Sequence, residues 1–192
     1  MREPEPDTIR RAQAGDLRAF ESLVRAYQGD AWRFAYHLTR NRAAADDVTQ
    51  EAFVRAFRAI ASYRGEWKFT AWLLRIVRNC AIDVHRRARR EERLLGEVVA
   101  ALPRDRRPGG SEGASTGVPG SGSEDRLRIA QALRDLPEVL REPFVVIEVL
   151  GFSYAEAATI LSVKVGTLKS RMHRARTHLM RSLGEAEAAD EV

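Results

Sequence analysis

Between Pro103 and Glu124 the chain reads PRDRRPGGSEGASTGVPGSGSE. A stretch this rich in Gly, Ser and Pro cannot bury enough apolar surface to offset the entropy of ordering it, which predicts a flexible linker. Its 22 residues reach at most about 75 Å when fully drawn out. The chain is therefore expected to fold as two separate halves: a first domain over residues 1–98, a linker over 99–124 and a second domain over 125–185.

The second half carries the most legible local pattern, SYAEAATILSVKVGTLKSRMHRARTHL from Ser153 to Leu179. Ser153 with Glu156 three residues later is a capping box, so a helix starts there. Ala157, Ile160 and Leu161 keep one face apolar, and the chain turns through Ser162 and Val163 before a second helix begins near Lys164. In that helix Leu168, Met172, Ala175 and Leu179 recur at spacings of four, three and four, one buried stripe of a 3.6-residue period. Lys164, Thr167, Lys169, Ser170, Arg171, His173, Arg174 and Arg176 occupy the other faces. A helix seated by an apolar stripe, with cationic and hydrogen-bonding side chains outward, is what recognition in a DNA major groove requires. The same pattern also fits a solvated basic face on an ordinary helical hairpin. Upstream, Leu127, Ala130, Leu133 and Leu136 predict a helix that Pro137 ends, and PFVVIEVL predicts a further helix closed by Gly151, although Val145, Val146 and Ile147 alone would fit a strand. The tail GEAEAADEV is expected to fray.

The first half is also helical in pattern. Asp7 is the expected cap of a short helix, TIRRAQAG, which Gly15 and Asp16 end while starting a longer one. From there Phe20, Leu23, Val24, Tyr27, Ala31, Phe34, Ala35 and Leu38 form a core stripe. Asn41 can cap the next helix, with Val48, Ala52, Phe53, Ala56, Phe57 and Ile60 buried and Asp46, Asp47, Gln50, Glu51, Arg55 and Arg58 opposite. Acidic groups early in a helix can simply complement its dipole. SYRGEW, Ser62 to Trp67, reads as a loop; beyond it Phe69, Trp72, Leu73, Ile76, Val77, Cys80, Ala81 and Val84 face inward, and the run HRRARR at 85–90 closes the helix with dense positive charge. Such a run often marks a phosphate contact. Aromatic rings in a loop beside a basic helix suit single-stranded nucleic acid, where bases stack while cations track the backbone. Phe69 and Trp72 belong to the apolar stripe, whereas Tyr63 and Trp67 are in the loop.

Charge and chemistry narrow the function classes. Lys and Arg outnumber Asp and Glu by 32 to 27, a net charge of +5, which makes nucleic acid the first partner to consider. The single cysteine, Cys80, cannot form a disulfide or a cysteine zinc site within one chain, in keeping with a reducing compartment. It sits on an apolar stripe, as a small buried hydrophobe would. His37, His85, His173 and His178 lack metal-ligand spacing. No nucleophile has an identifiable base, and no glycine-rich phosphate loop follows a strand, so neither an enzyme nor a cofactor is expected. Nothing in the sequence resembles a secretory signal or a membrane span, which predicts a soluble, cytoplasmic protein.

The segments AFESLVRAY, ADDVTQEAFVRAF and YRGEWKFTAWLLRIVRNCAIDVHRR in the first half, and ALRDLPEVLREPFVVIEVLGFSYAEAATILSVKVGTLKSRMHRAR in the second, resemble in order the extracytoplasmic-function sigma factors of bacterial RNA polymerase. The resemblance covers nearly all of the chain except the linker. It implies an all-α protein of two small helical domains, sigma region 2 and sigma region 4 with its helix-turn-helix. It also implies a function: binding core RNA polymerase and directing initiation at particular promoters, commonly under the control of an anti-sigma factor. Asp47, Gln50, Glu51, Arg55 and Arg58 fall where the family binds the polymerase clamp. Tyr63, Arg64 and Trp67 of the loop, with Arg75, Arg78, Asn79, Arg86 and Arg87, fall where it reads the minus-ten element as separated strands. Lys164, Thr167, Lys169, Ser170, His173 and Arg174 match positions that contact the minus-thirty-five element as duplex. Ser162 and Lys164 stand where many relatives carry Gly and Pro. The competing reading is a DNA-binding regulator that acts without polymerase through the same helix-turn-helix.

Overall fold

The computed structural model describes residues 1–101 and 131–190, with side chains over 1–90 and 131–183. A helix over Phe69–Ala101 takes in residues 99–101 of the expected linker; the rest of the linker, with Leu127 and Ala130, lies outside the described residues. Every regular element among the described residues is helical.

The first unit runs α1 (Pro6–Gln13), α2 (Leu17–Thr39), α3 (Arg42–Ala59), a short 3₁₀ turn (Ile60–Ser62) and α4 (Phe69–Ala101). The α1 boundary differs from expectation: Glu5 occupies the cap position without a side-chain bond, and Asp7 lies in the first turn paired with Arg10. Pro6 explains this, because its fixed φ and missing N–H suit the first helical position and start the helix two residues earlier. The α1–α2 junction follows the sequence. Gly15 takes a φ of 91°, and Asp16 then accepts hydrogen bonds from the N–H groups of Arg18 and Ala19. Asn41 caps α3 through the N–H of Ala44 at 3.0 Å. The helix of the basic run is longer than expected, continuing through HRRARR to Ala101. Helices α2, α3 and α4 pack on one another around Leu23, Phe34, Val48, Phe69, Leu73, Leu74 and Val77, all buried to 2 % exposure or less.

In the second unit, α5 (131–135) leads into Pro137, followed by α6 (Glu138–Phe144) and a π turn (Val145–Val149). PFVVIEVL is thus helical, as its length predicts, but under-wound: the N–H of Leu150 bonds the carbonyl of Val145, five residues back, at 2.9 Å. The widening comes directly after Pro143, whose ring crowds the carbonyl four residues back and which supplies no N–H. Gly151, with φ 74°, ends the segment. Helix α7 (Tyr154–Leu161) and helix α8 (Val165–Asp190) form the helix-turn-helix. Both bonds of the capping box are made: Ser153 Oγ accepts from the Glu156 N–H, and Glu156 accepts from the Ser153 N–H at 2.8 Å. Helix α8 takes in the tail as far as Asp190.

The two units pack against each other. Val145, Val146, Leu150, Phe152, Ala157, Ile160, Leu161 and Leu168 join the same buried cluster as the first unit's core, with α7 against α4 and α6 against α2. A smaller cluster of Ala132, Leu136, Ala175 and Leu179 holds α8 to the rest of the second unit.

Candidate functional site

Three surfaces gather the residues singled out in the sequence. On α3, Asp47, Gln50, Glu51 and Arg58 are exposed, because Ala45, Val48, Ala52 and Ala56 take the buried side of the helix. Arg55 is half-buried and forked between Glu51 and Asp83, at 2.7 Å each. Those hydrogen bonds, Asp83 first and then Glu51, push its pKa up and keep the guanidinium charged. Phe57 corrects the sequence reading. It is 43 % exposed, set edge-on against Phe20 at 5.0 Å, with Val54 also exposed. Gln50, Val54, Phe57 and Arg58 follow helical spacing along one face. A face that mixes apolar side chains and both charge signs suits a protein partner better than bulk water.

The loop between the 3₁₀ turn and α4 forms the second surface. Ser62 belongs to the 3₁₀ turn, so the irregular part is Tyr63 to Lys68, with Gly65 at φ 72°. Trp67 is 42 % exposed, and the Arg75 guanidinium lies over its ring at 5.2 Å. Tyr63 is half-buried, its ring 5.2 Å from Trp72 and its hydroxyl donating to the Trp67 carbonyl at 2.6 Å. Burial, and then the nearby Glu3 carboxylate, push the Tyr63 phenol pKa up, so it remains a neutral donor. Ser62, Tyr63, Arg64, Glu66, Trp67 and Trp72 line a cavity of about 130 Å³. Phe69 is core at 1 % exposure, and Trp72 is half-buried between core and cavity. Along α4, Asn79, Arg86 and Arg87 are exposed, while Arg75 and Arg78 are half-buried.

Helix α8 carries the third surface. Leu168, Met172, Ala175 and Leu179 are all buried, the stripe read from the sequence. Seated by it, Lys164, Thr167, Lys169, Ser170, His173 and Arg174 are all exposed along one side. Arg176 is instead paired with Glu148 at 2.6 Å. Ser162, at the turn, adopts the left-handed conformation (φ 53°) in which glycine is favoured. The turn therefore keeps its geometry with a serine.

Other residues engage these surfaces without any local signal in the sequence. Glu142 of α6 binds Arg78 at 3.2 Å, with side chains only 11 % and 18 % exposed. Burial pushes the Glu142 carboxyl up, and Arg78 only partly restores it. Lys68 pairs with Glu156 at 2.6 Å. Burial acts on Glu156 in the raising direction, but Lys68 and the Ser153 hydroxyl and N–H hold it below the ordinary carboxylate value. Arg40 donates to the Arg134 carbonyl. The loop and α4 therefore face the second unit directly, through partners 64 and 88 residues away in the chain.

Residues 23–91 match the family model for Sigma-70 region 2, and residues 126–179 that for Sigma-70 region 4. The chain is 35 % identical over 179 residues to the ECF RNA polymerase sigma factor SigC of Mycobacterium tuberculosis, covering 93 % of this chain and 89 % of that protein. It is 32 % identical over 184 residues to the RNA polymerase sigma-H factor of Pseudomonas aeruginosa, with 94 % of each covered. Among solved structures it is similar to the sigma factor RpoE of Bartonella quintana, crystallised with the anti-sigma factor NepR, at a TM-score of 0.67 and 27 % identity over 88 % of this chain and 98 % of that one. It is also similar to CnrH in complex with the cytosolic domain of CnrY, at a TM-score of 0.65 and 27 % identity over 93 % and 96 %. The chain belongs to the extracytoplasmic-function sigma factors, the subunits that direct bacterial RNA polymerase to specific promoters.

Proposed function

We propose that each of the three surfaces has one partner. The α3 face of Asp47, Gln50, Glu51, Arg55 and Arg58 binds core polymerase, with Val54 and Phe57 adding apolar contact. Tyr63, Arg64 and Trp67, with Arg75, Arg78, Asn79, Arg86 and Arg87, take the minus-ten element as single strand. Lys164, Thr167, Lys169, Ser170, His173 and Arg174 read the minus-thirty-five element in the major groove. The observation that carries this reading is the joining in one chain of an exposed cationic helix on a capped helix-turn-helix and an exposed tryptophan beside a small cavity. Unstacking a base costs a few kcal/mol. A ring that stacks the extruded base and a cavity that holds it offset that cost, so opening becomes part of recognition. The chemistry of RNA synthesis then belongs to the polymerase, in the cytoplasm.

An anti-sigma protein is the proposed regulator, supported by the two similar structures, each a complex with another protein and one named as sigma with anti-sigma. Such a partner works by covering the surfaces that polymerase and promoter need.

The test is reconstitution of the purified chain with core polymerase, followed by sequencing of transcripts initiated on a genomic DNA library. Discrete start sites sharing two spaced upstream motifs are expected, and substituting Gln50 and Glu51 should weaken core binding. If core is neither bound nor redirected while the chain alone protects specific duplex sites, it is an independent regulator and the proposal fails.

A further inference from the structure

The amino-terminal 13 residues precede the region 2 match, which begins at residue 23, yet they grip both ends of the aromatic loop. On the incoming side, the Gln13 amide donates to the carbonyls of Ile60 and Tyr63, at 3.2 and 2.6 Å. On the outgoing side, the Glu3 carboxylate accepts from the N–H of Phe69 at 2.8 Å and of Thr70 at 3.1 Å, and from the Thr70 hydroxyl. Phe69 is the first residue of α4. These two N–H groups therefore belong to the first turn, where the helix itself provides no acceptor and its dipole favours a negative charge. Glu3 is the helix cap, supplied from 66 residues away. The arm is in turn tied to α2, where the Tyr27 hydroxyl donates to the Arg2 carbonyl at 2.7 Å and the Tyr27 ring lies 5.7 Å from Phe69.

The loop between these grips has few constraints of its own. Tyr63 to Lys68 includes a glycine with positive φ, and Arg64, Glu66, Trp67 and Lys68 are exposed. The internal bonds are Tyr63 to the Trp67 carbonyl and the Arg75 cation over the Trp67 ring. A stacking surface captures an extruded base well only if its geometry is set before the base arrives, because ordering it at that moment costs affinity. We propose that Glu3 and Gln13 are positioning residues for strand opening: the arm clamps the loop at both ends and thereby holds Tyr63 and Trp67 in the pose that accepts the base. The inference rests on the loop being the minus-ten reader.

The test uses the full-length chain bound to core polymerase, on a promoter found by the transcript mapping above, supplied both as closed duplex and as a pre-opened heteroduplex bubble. Glu3→Gln and Gln13→Ala are compared with Trp67→Ala by permanganate reactivity of the opened strand, core affinity and thermal midpoint. Each arm variant is expected to slow opening of the duplex about fivefold, the scale of one lost cap, with less than about a twofold change on the bubble and no change in core affinity. A variant that is merely misfolded would lose core affinity and bubble activity together, which would overturn the positioning role. Slowing by Trp67→Ala with both arm variants at wild-type rate overturns the proposal and leaves the loop reading standing. If Trp67→Ala also opens the duplex normally, the loop reading fails and the arm proposal with it.

Discussion

Cys80 shows how one side chain reports on its surroundings. It is 1 % exposed on the α4 stripe, and burial pushes its thiol pKa up to about 11, with Arg55 opposing weakly. A thiol with that pKa is about one part in a thousand thiolate at pH 8. Iodoacetamide should therefore leave Cys80 unmodified in the folded protein for hours and label it fully in denaturant, as mass spectrometry would record; rapid native labelling would contradict this packing. Phe57 makes the opposite point. Its spacing fits the buried stripe of α3, but α2 covers only part of that flank, and the ring emerges beside Phe20. Periodicity assigns a face, and the neighbouring helix decides where that face ends.

At the scale of elements, start and stop chemistry made most helices legible. Asp16, Asn41 and Ser153 are caps because their side chains reach N–H groups that would otherwise lack acceptors. Ser153→Ala should lower stability by about 1 kcal/mol, measured by denaturant unfolding. The second unit should lose most, since the same substitution removes one bond from Glu156, which also pairs with Lys68. An unchanged midpoint would mean that the box adds nothing beyond tertiary packing. Glu3 capping α4 was illegible for the opposite reason: Lys68 stands at the local cap position and its side chain has no acceptor, so the acceptor comes from a distant segment. The π turn after Pro143 was equally hidden, because the apolar run reads as helix whatever its hydrogen-bond register.

For the molecule as a whole, the contact between the units bears on function. The Arg78–Glu142 and Lys68–Glu156 pairs place carboxylates of the second unit on Arg78 of the proposed minus-ten reader and on Lys68 beside it, where the proposed function puts DNA phosphates. Glu142 is mostly buried, so removing it leaves Arg78 half-buried without this partner and weakens the packed form. Glu142→Ala is predicted to raise the free chain's affinity for a single-stranded minus-ten oligonucleotide about three- to tenfold and to enlarge its radius of gyration. Fluorescence anisotropy and small-angle scattering would check both, and unchanged values would show that the packed arrangement does not compete with DNA.

The all-helical class, the capped helix-turn-helix, the buried stripe of α8 and its exposed cationic side were determined by the sequence alone. Each rests on residues within two or three turns of one another, where spacing and capping chemistry act directly. The tertiary structure decided which groups meet across the chain: the arm on the loop, Glu142 on Arg78, and the apolar cluster shared by two units that a linker rich in Gly and Ser had suggested were separate. Those contacts depend on how helices stack in space, and no periodicity within one segment encodes a partner sixty or more residues away.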